Sequence, residues 1–183
     1  MEIAFSTNKQ FENAQNKMQE FLSSNVFTSK DPNKLNQEKL VKINKLGFLT
    51  TMIQYGNEIK RDHAKLYSTH IEDRAYICGF MQNSCVDRFL KQIKLNPNII
   101  AYKKIVTYIK SSTMIPLSLD NKKIVTNDKP TITPRKLNLL KKISLLEGVD
   151  NISLVYCIDI KFNRLANSQY GLFNNVIDTL EKL

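Results

Sequence analysis

Apolar side chains recur every three or four residues between Asn8 and Leu22, where Phe11, Ala14, Met18, Phe21 and Leu22 line one side of a predicted helix. The polar stretch SSNVFTSKDPNKLNQ, which contains Pro32, predicts a surface loop. A second helix is expected over about Asn36 to Leu46, stopping at Gly47, the residue type that best tolerates a left-handed C-terminal cap. Phe48 to Ile53 is apolar and β-branched and reads as a strand, closed by the turn-prone QYGN; Asn57 to Thr69 is polar and reads as a loop or short helical turn.

A second strand is expected over Arg74 to Met81, then a helix capped by Asn83 or Ser84 with Cys85, Phe89, Leu90 and Ile93 on its apolar side, closed by NPN. Ile99 to Ile109 is rich in Ile, Val, Tyr and Thr and predicts a strand whose apolar run is interrupted by Lys103 and Lys104; helix is the alternative there. Ile115 to Val125 reads as a hairpin arm turning at LDNKK. Pro134 suits the first position of a helix through Leu146, with Leu137, Leu140, Ile143 and Leu146 on one face. Asn151 to Ile160 predicts a strand, and Tyr170 to Leu183 an amphipathic helix built on Leu172, Val176, Ile177 and Leu180. This order, without internal repeats, predicts an α+β fold with a single mixed or mainly antiparallel sheet and helices packed on it. It is expected to be one domain over residues 1–183, with residues 1–35 as an N-terminal helix and loop that is integral to it or an appendage.

Composition agrees with a folded chain: 183 residues, 42% hydrophobic and 24% charged, with five Gly and five Pro. No apolar run is long enough to span a bilayer, so no membrane association is expected. MEIAFSTNKQ lacks the basic start and apolar stretch of a secretory signal. Cys78, Cys85 and Cys157 are odd in number, which favours buried thiols in a reducing compartment. The expected location is therefore cytoplasmic, and the protein is not expected to be secreted.

The net charge of +10 is localised: between Lys91 and Lys142 stand twelve basic and two acidic residues, so this segment holds the whole excess. Lys103, Lys104, Lys110, Lys122, Lys123, Arg135, Lys136, Lys141 and Lys142 are interleaved with Tyr102 and Tyr108. Lysines supply point charges for phosphates, and tyrosines can stack on unpaired bases. Arg135 is the only Arg in the segment, so base-edge reading is expected to be minor. The bland alternative is a solvated basic face.

Catalytic motifs are absent: the chain has no P-loop, no G-x-G-x-x-G and no G-x-S-x-G elbow. His63, His70, Cys78 and Cys85 are separated by six or seven residues, too far apart for a zinc knuckle, so no metal or other cofactor is expected. The enzymatic option that remains is an acidic site. Glu72 and Asp73 at the start of one strand and Asp159 near the end of another would meet at one sheet rim if the two strands are antiparallel neighbours.

LGFLTTMIQYG at Leu46 to Gly56 and EDRAYICGF at Glu72 to Phe80 resemble an uncharacterised domain family of actinobacteria and large DNA viruses of protists. In that family a GF-T--SQ-G strand and turn precedes an RA---GF strand. VYCIDIKFNRL and LFNNVIDTL are similar to the family's last strand and helix. Gly47, Gln54, Gly56, Arg74, Gly79 and Phe80 match the pattern, whereas Ile53 stands in place of a Ser and Tyr55 in place of a common Pro. The Lys-, Asn- and Ile-rich composition looks like the viral branch, which implies a viral or virion-associated protein in the host cytoplasm or virion. The resemblance implies positions and not a chemistry. Gly47, Gly56 and Gly79 have backbone reasons, a cap, a turn and close packing; Gln54 and Arg74 do not. Antiparallel pairing of their strands would bring them together.

Three readings follow. The first is a basic accessory protein that binds nucleic acid through Lys103 to Lys142 without strong sequence preference. The second is a small enzyme or binding domain acting on a phosphorylated or nucleotide ligand at Gln54, Glu72, Arg74 and Asp159. The third is an interaction module whose basic face meets an acidic protein partner. The oligomeric state is left open.

Overall fold

The computed structural model describes residues 2–24, 33–54, 75–108, 115–119, 122–126, 131–159 and 167–183. In chain order the elements are α1 (Glu2–Ser24), α2 (Asn33–Lys45), β1 (Leu49–Gln54), β2 (Tyr76–Gln82), α3 (Asn83–Ile93), β3 (Ile99–Lys103) and β4 (Ile105–Val106). They continue as β5 (Ile115–Leu119), β6 (Lys122–Thr126), β7 (Thr131–Ile132), α4 (Pro134–Ile143), β8 (Ile152–Asp159) and α5 (Asn167–Leu180). The fold is α+β. A four-stranded antiparallel sheet runs in the order β1-β2-β8-β3; β4 and β7 form a parallel pair, and β5 and β6 an antiparallel pair.

Helices cover both faces of the four-stranded sheet. On one face Ile77, Met81, Val155, Cys157, Ile99 and Ala101 pack against α2, α3 and α5, through residues such as Ile43, Phe89 and Val176. On the other, Leu49, Cys78, Phe80 and Leu154 pack against Phe11 and Ala14 of α1 and Leu140 of α4, with Leu146 and Val149 closing the cluster. Burial on both faces explains why β2 reads as the continuous run YICGFM and not as an alternation.

The α2-to-β1 corner was legible in the sequence. Gly47 has φ +98°, its N–H donates to Asn44 O, and the Phe48 N–H reaches back to Ile43 O, which together make a Schellman cap. Asn44, fully buried, ties the corner by donating to Leu40 O and accepting from the Thr50 amide. Gln15 of α1 adds a side-chain bond to Lys45 O at 3.1 Å.

Three expectations are corrected. The strand expected over Ile99 to Ile109 breaks at Lys104, whose amide bonds Leu154 O at 2.9 Å before the chain leaves the sheet to pair with β7. Neither Asn83 nor Ser84 caps α3: Gln82 holds the cap position without a side-chain bond, and Asn83 Oδ1 accepts from the Ser153 hydroxyl at 2.6 Å. α4 ends at Ile143 and not at Leu146, so Ile143 is exposed. There Leu145 takes φ +58° as the left-handed residue of a second Schellman-type turn, with Leu146 N donating to Lys141 O at 2.7 Å.

Candidate nucleic-acid interface

Three tyrosines on adjacent strands form a column on the face shared with α1 and α4. Tyr102 of β3 lies directly opposite Tyr156 of β8, their ring centroids 5.7 Å apart and their planes within 7°. Tyr76 of β2, diagonal to Tyr156, stacks on its other side at 5.8 Å and 29°. All three are half-buried. The Lys104 ammonium lies 4.5 Å from the Tyr156 centroid and 5.2 Å from that of Tyr102, within cation–π range of both. Lys104 itself is buried, so its charge stands against the rings and not out in solvent.

The chain then carries charge from this column to α4. β4 and β7 run parallel, pairing Ile105 with Thr131 and Val106 with Ile132, and Thr107 N continues the ladder to Ile132 O at 3.0 Å. Tyr108, 89% exposed, follows β4 by two residues, as Pro134 at the start of α4 follows β7 by two. Thr133 caps that helix by accepting from Lys136 N, Pro134 occupies its first turn, and no acid stands there. Arg135, Lys136 and Lys142 are exposed, and none makes an ion pair among the described residues. The helix macrodipole adds to the positive field of Arg135 and Lys136 at the N-terminal end, whereas Lys142 stands in the last turn.

The sequence candidates do not all join this surface. Lys103 is exposed, but it pairs with Val155, whose side chain belongs to the opposite face, so strand alternation turns it away from Tyr102. Lys141 donates to Val149 O at 2.6 Å and so holds the chain leaving α4. Lys122 and Lys123 lie on β6, and Lys110 lies outside the described residues. Tyr76 and Tyr156 were missed. Their signal was a period-two position in YICGFM and ISLVYCID, but the partners that make them a column lie on other strands.

The acidic option acquires part of its geometry. β2 and β8 are antiparallel neighbours, and Asp159 N bonds Ala75 O at 3.0 Å. Gln54 pairs with Tyr76 across β1 and β2, so Gln54 and Asp159 lie at the same rim of the sheet. Glu72, Asp73 and Arg74 lie outside the described residues, as do His63 and His70. A cavity of about 240 Å³ opens elsewhere, between α1, the end of α2 and the start of α3, lined by Gln15, Lys45, Gln82 and Cys85 among others. It is smaller than the roughly 300–1,000 Å³ of most small-molecule sites, and no residue of the acidic or the basic candidate set is in its lining.

Among the described residues no helix is long and apolar enough to cross a membrane. The sequence matches no protein-family model, and comparison with curated proteins and with solved structures returns no significant match.

Proposed function

We propose that this protein binds nucleic acid without strong sequence preference, through the side of the sheet that carries α4. The observation that supports this reading is that exposed cations and aromatic rings occur on one side of the sheet. Arg135, Lys136 and Lys142 stand exposed on α4, Tyr108 stands exposed just beyond β4, and the Lys104–tyrosine column lies on the side of the sheet that α4 covers. Cations of this kind gain affinity by releasing the counterions condensed on phosphates, which requires no base reading. A viral accessory role, carried by the resemblance and the composition, is compatible with this activity.

The test is fluorescence anisotropy of a labelled oligonucleotide at low salt, comparing wild type with a variant carrying Arg135→Glu, Lys136→Glu and Lys142→Glu. Loss of binding in the triple variant, with Lys103→Glu close to wild type, is expected. Equal binding by the triple variant and wild type would overturn the assignment to this surface.

A second reading, docking of an acidic protein segment, is favoured by Leu139 and Ile143, one turn apart on α4 and 56% and 64% exposed among the same cations. Leu139→Ser separates the two readings. It should leave oligonucleotide affinity unchanged, because phosphates have no use for an exposed leucine.

A further inference from the structure

The chain has five prolines, and only Pro134 follows a hydroxyl-bearing residue, Thr133. The next two residues are cations, so the stretch reads Thr133-Pro134-Arg135-Lys136. Its bland reading is a helix start, since Thr is a good cap and Pro a good first helical residue. That reading accounts for the Thr and the Pro but not for the cations that follow them. The structure adds access: Thr133 is exposed, and its backbone is extended at φ −74° and ψ 149°, the region that a following Pro enforces. The bond that its hydroxyl accepts from Lys136 N is 3.3 Å long, past the usual range. An exposed, loosely held hydroxyl therefore stands directly before a Pro and three residues before a Lys.

We infer that Thr133 is a phosphorylation site for a proline-directed protein kinase, and that its phosphate weakens the nucleic-acid contact of α4; the second half rests on the reading above. Such a kinase takes a residue without an N–H after the acceptor and holds a cation three residues on through its own acids. Attack of Thr133 Oγ1 on the γ-phosphorus of a nucleoside triphosphate forms the Oγ1–P bond, breaks the bond to the β-phosphate oxygen and releases the nucleoside diphosphate. The hydroxyl proton passes to a carboxylate of the kinase. The first turn of α4 must open for this, which breaks the bond from Leu137 N to Thr133 O at 2.9 Å and the long one to the hydroxyl. Terminal turns open at little cost. The phosphate carries a charge of about −1.5 to −2 at neutral pH. At Thr133 it stands two and three residues from Arg135 and Lys136, with no acid in the first turn to repel it, and competes for the charge that nucleic acid would meet.

The experiment incubates the full chain with a purified proline-directed kinase and ATP and maps the product by mass spectrometry. One phosphoryl group on Thr133 is expected, retained in Thr133→Ser and lost in Thr133→Ala. Pro134→Ala keeps the hydroxyl and substitutes a good helix former, and it should also lose the modification. The phosphorylated chain then enters the anisotropy assay beside the unmodified one. Oligonucleotide affinity at low salt should fall about ten-fold or more, and the log–log salt slope should shallow by about 1. An unmodified Thr133, or equal modification of Pro134→Ala, would overturn the site. Modification that leaves oligonucleotide affinity unchanged would overturn the regulatory half. Failure of the unmodified chain to bind at low salt would overturn the nucleic-acid reading and the regulation with it, while the mapped phosphate still decides the site.

Discussion

Gly79→Ala tests the centre of the fold at a single methyl group. Gly79 sits in β2 opposite Thr50 of β1, and a Cβ built on it would lie 2.4 Å and 2.7 Å from two carbons of the Phe48 ring and 2.5 Å from the Leu49 carbonyl oxygen. Favourable carbon contacts are about 3.5–4.0 Å, so the overlap with the ring is about an ångström. Phe48 has nowhere to turn, because it is fully buried and its ring meets Phe89 at 5.8 Å. The Leu49 oxygen belongs to the paired backbone of β1, so relief there means separating two strands.

Overpacking of a well-filled core costs about 1–3 kcal/mol, and an overlap that includes backbone puts this site at about 3 kcal/mol or above. Against a total stability of about 5–15 kcal/mol this is a large loss. Urea unfolding followed by far-UV circular dichroism reads it directly, since the absence of Trp rules out the usual fluorescence probe. With a slope of about 1–3 kcal/mol per molar urea, the midpoint should fall by at least about 1 M. Gly171→Ala, where an added Cβ meets nothing within 4 Å and which lies inside α5, is the control and should stabilise by about 0.5–1 kcal/mol. A Gly79→Ala midpoint equal to wild type would refute the packing of Phe48 over β2.

Other outcomes follow from particular groups. Leu145→Gly relieves a left-handed conformation at a side chain that is 54% exposed, and should stabilise by about 0.5–1 kcal/mol in thermal melts. Ser144 Oγ is buried with no hydrogen-bond partner among the described residues, so Ser144→Ala should leave stability unchanged or raise it, as measured by the urea midpoint. Burial, and secondarily the neighbouring Cys78, push the Cys157 thiol well above its ordinary value of 9.0. The folded state therefore keeps a proton that the unfolded chain gives up, and this contribution to stability, fully present below the unfolded chain's value of 9.0, declines as pH rises beyond it. Cys157→Ala should flatten that alkaline decline in urea midpoints measured across pH.

The parts of the fold written in local chemistry could be read from the chain. Gly47 marks a helix end because few other residues adopt its φ, and Pro134 marks a helix start because its missing N–H is not needed there. Gly79 was legible as a point of close approach. What could not be read depends on partners distant in sequence. Asn83 looked like a cap but is drawn away by Ser153, seventy positions on. Ile143 fitted the apolar face of a longer helix, yet Leu145 turns the chain before that face is complete. Lys104 looked like one more surface cation in a basic run, but in the fold it is buried against two tyrosines. For the interface, the charged segment was visible as composition. Which cations share a side, and that Lys103 does not, required the strand register.

The central claim is electrostatic contact with nucleic acid through α4, and the salt dependence of binding tests it most directly. Association of a single-stranded oligonucleotide should weaken linearly on a log–log plot of binding constant against salt. Each phosphate neutralised contributes about 0.7 to the slope. Replacing Arg135, Lys136 and Lys142 together with Gln should shallow that slope by about 2, whereas Lys103→Gln should leave it nearly unchanged. A slope near zero in the wild type, or one that the triple replacement does not alter, would contradict the account.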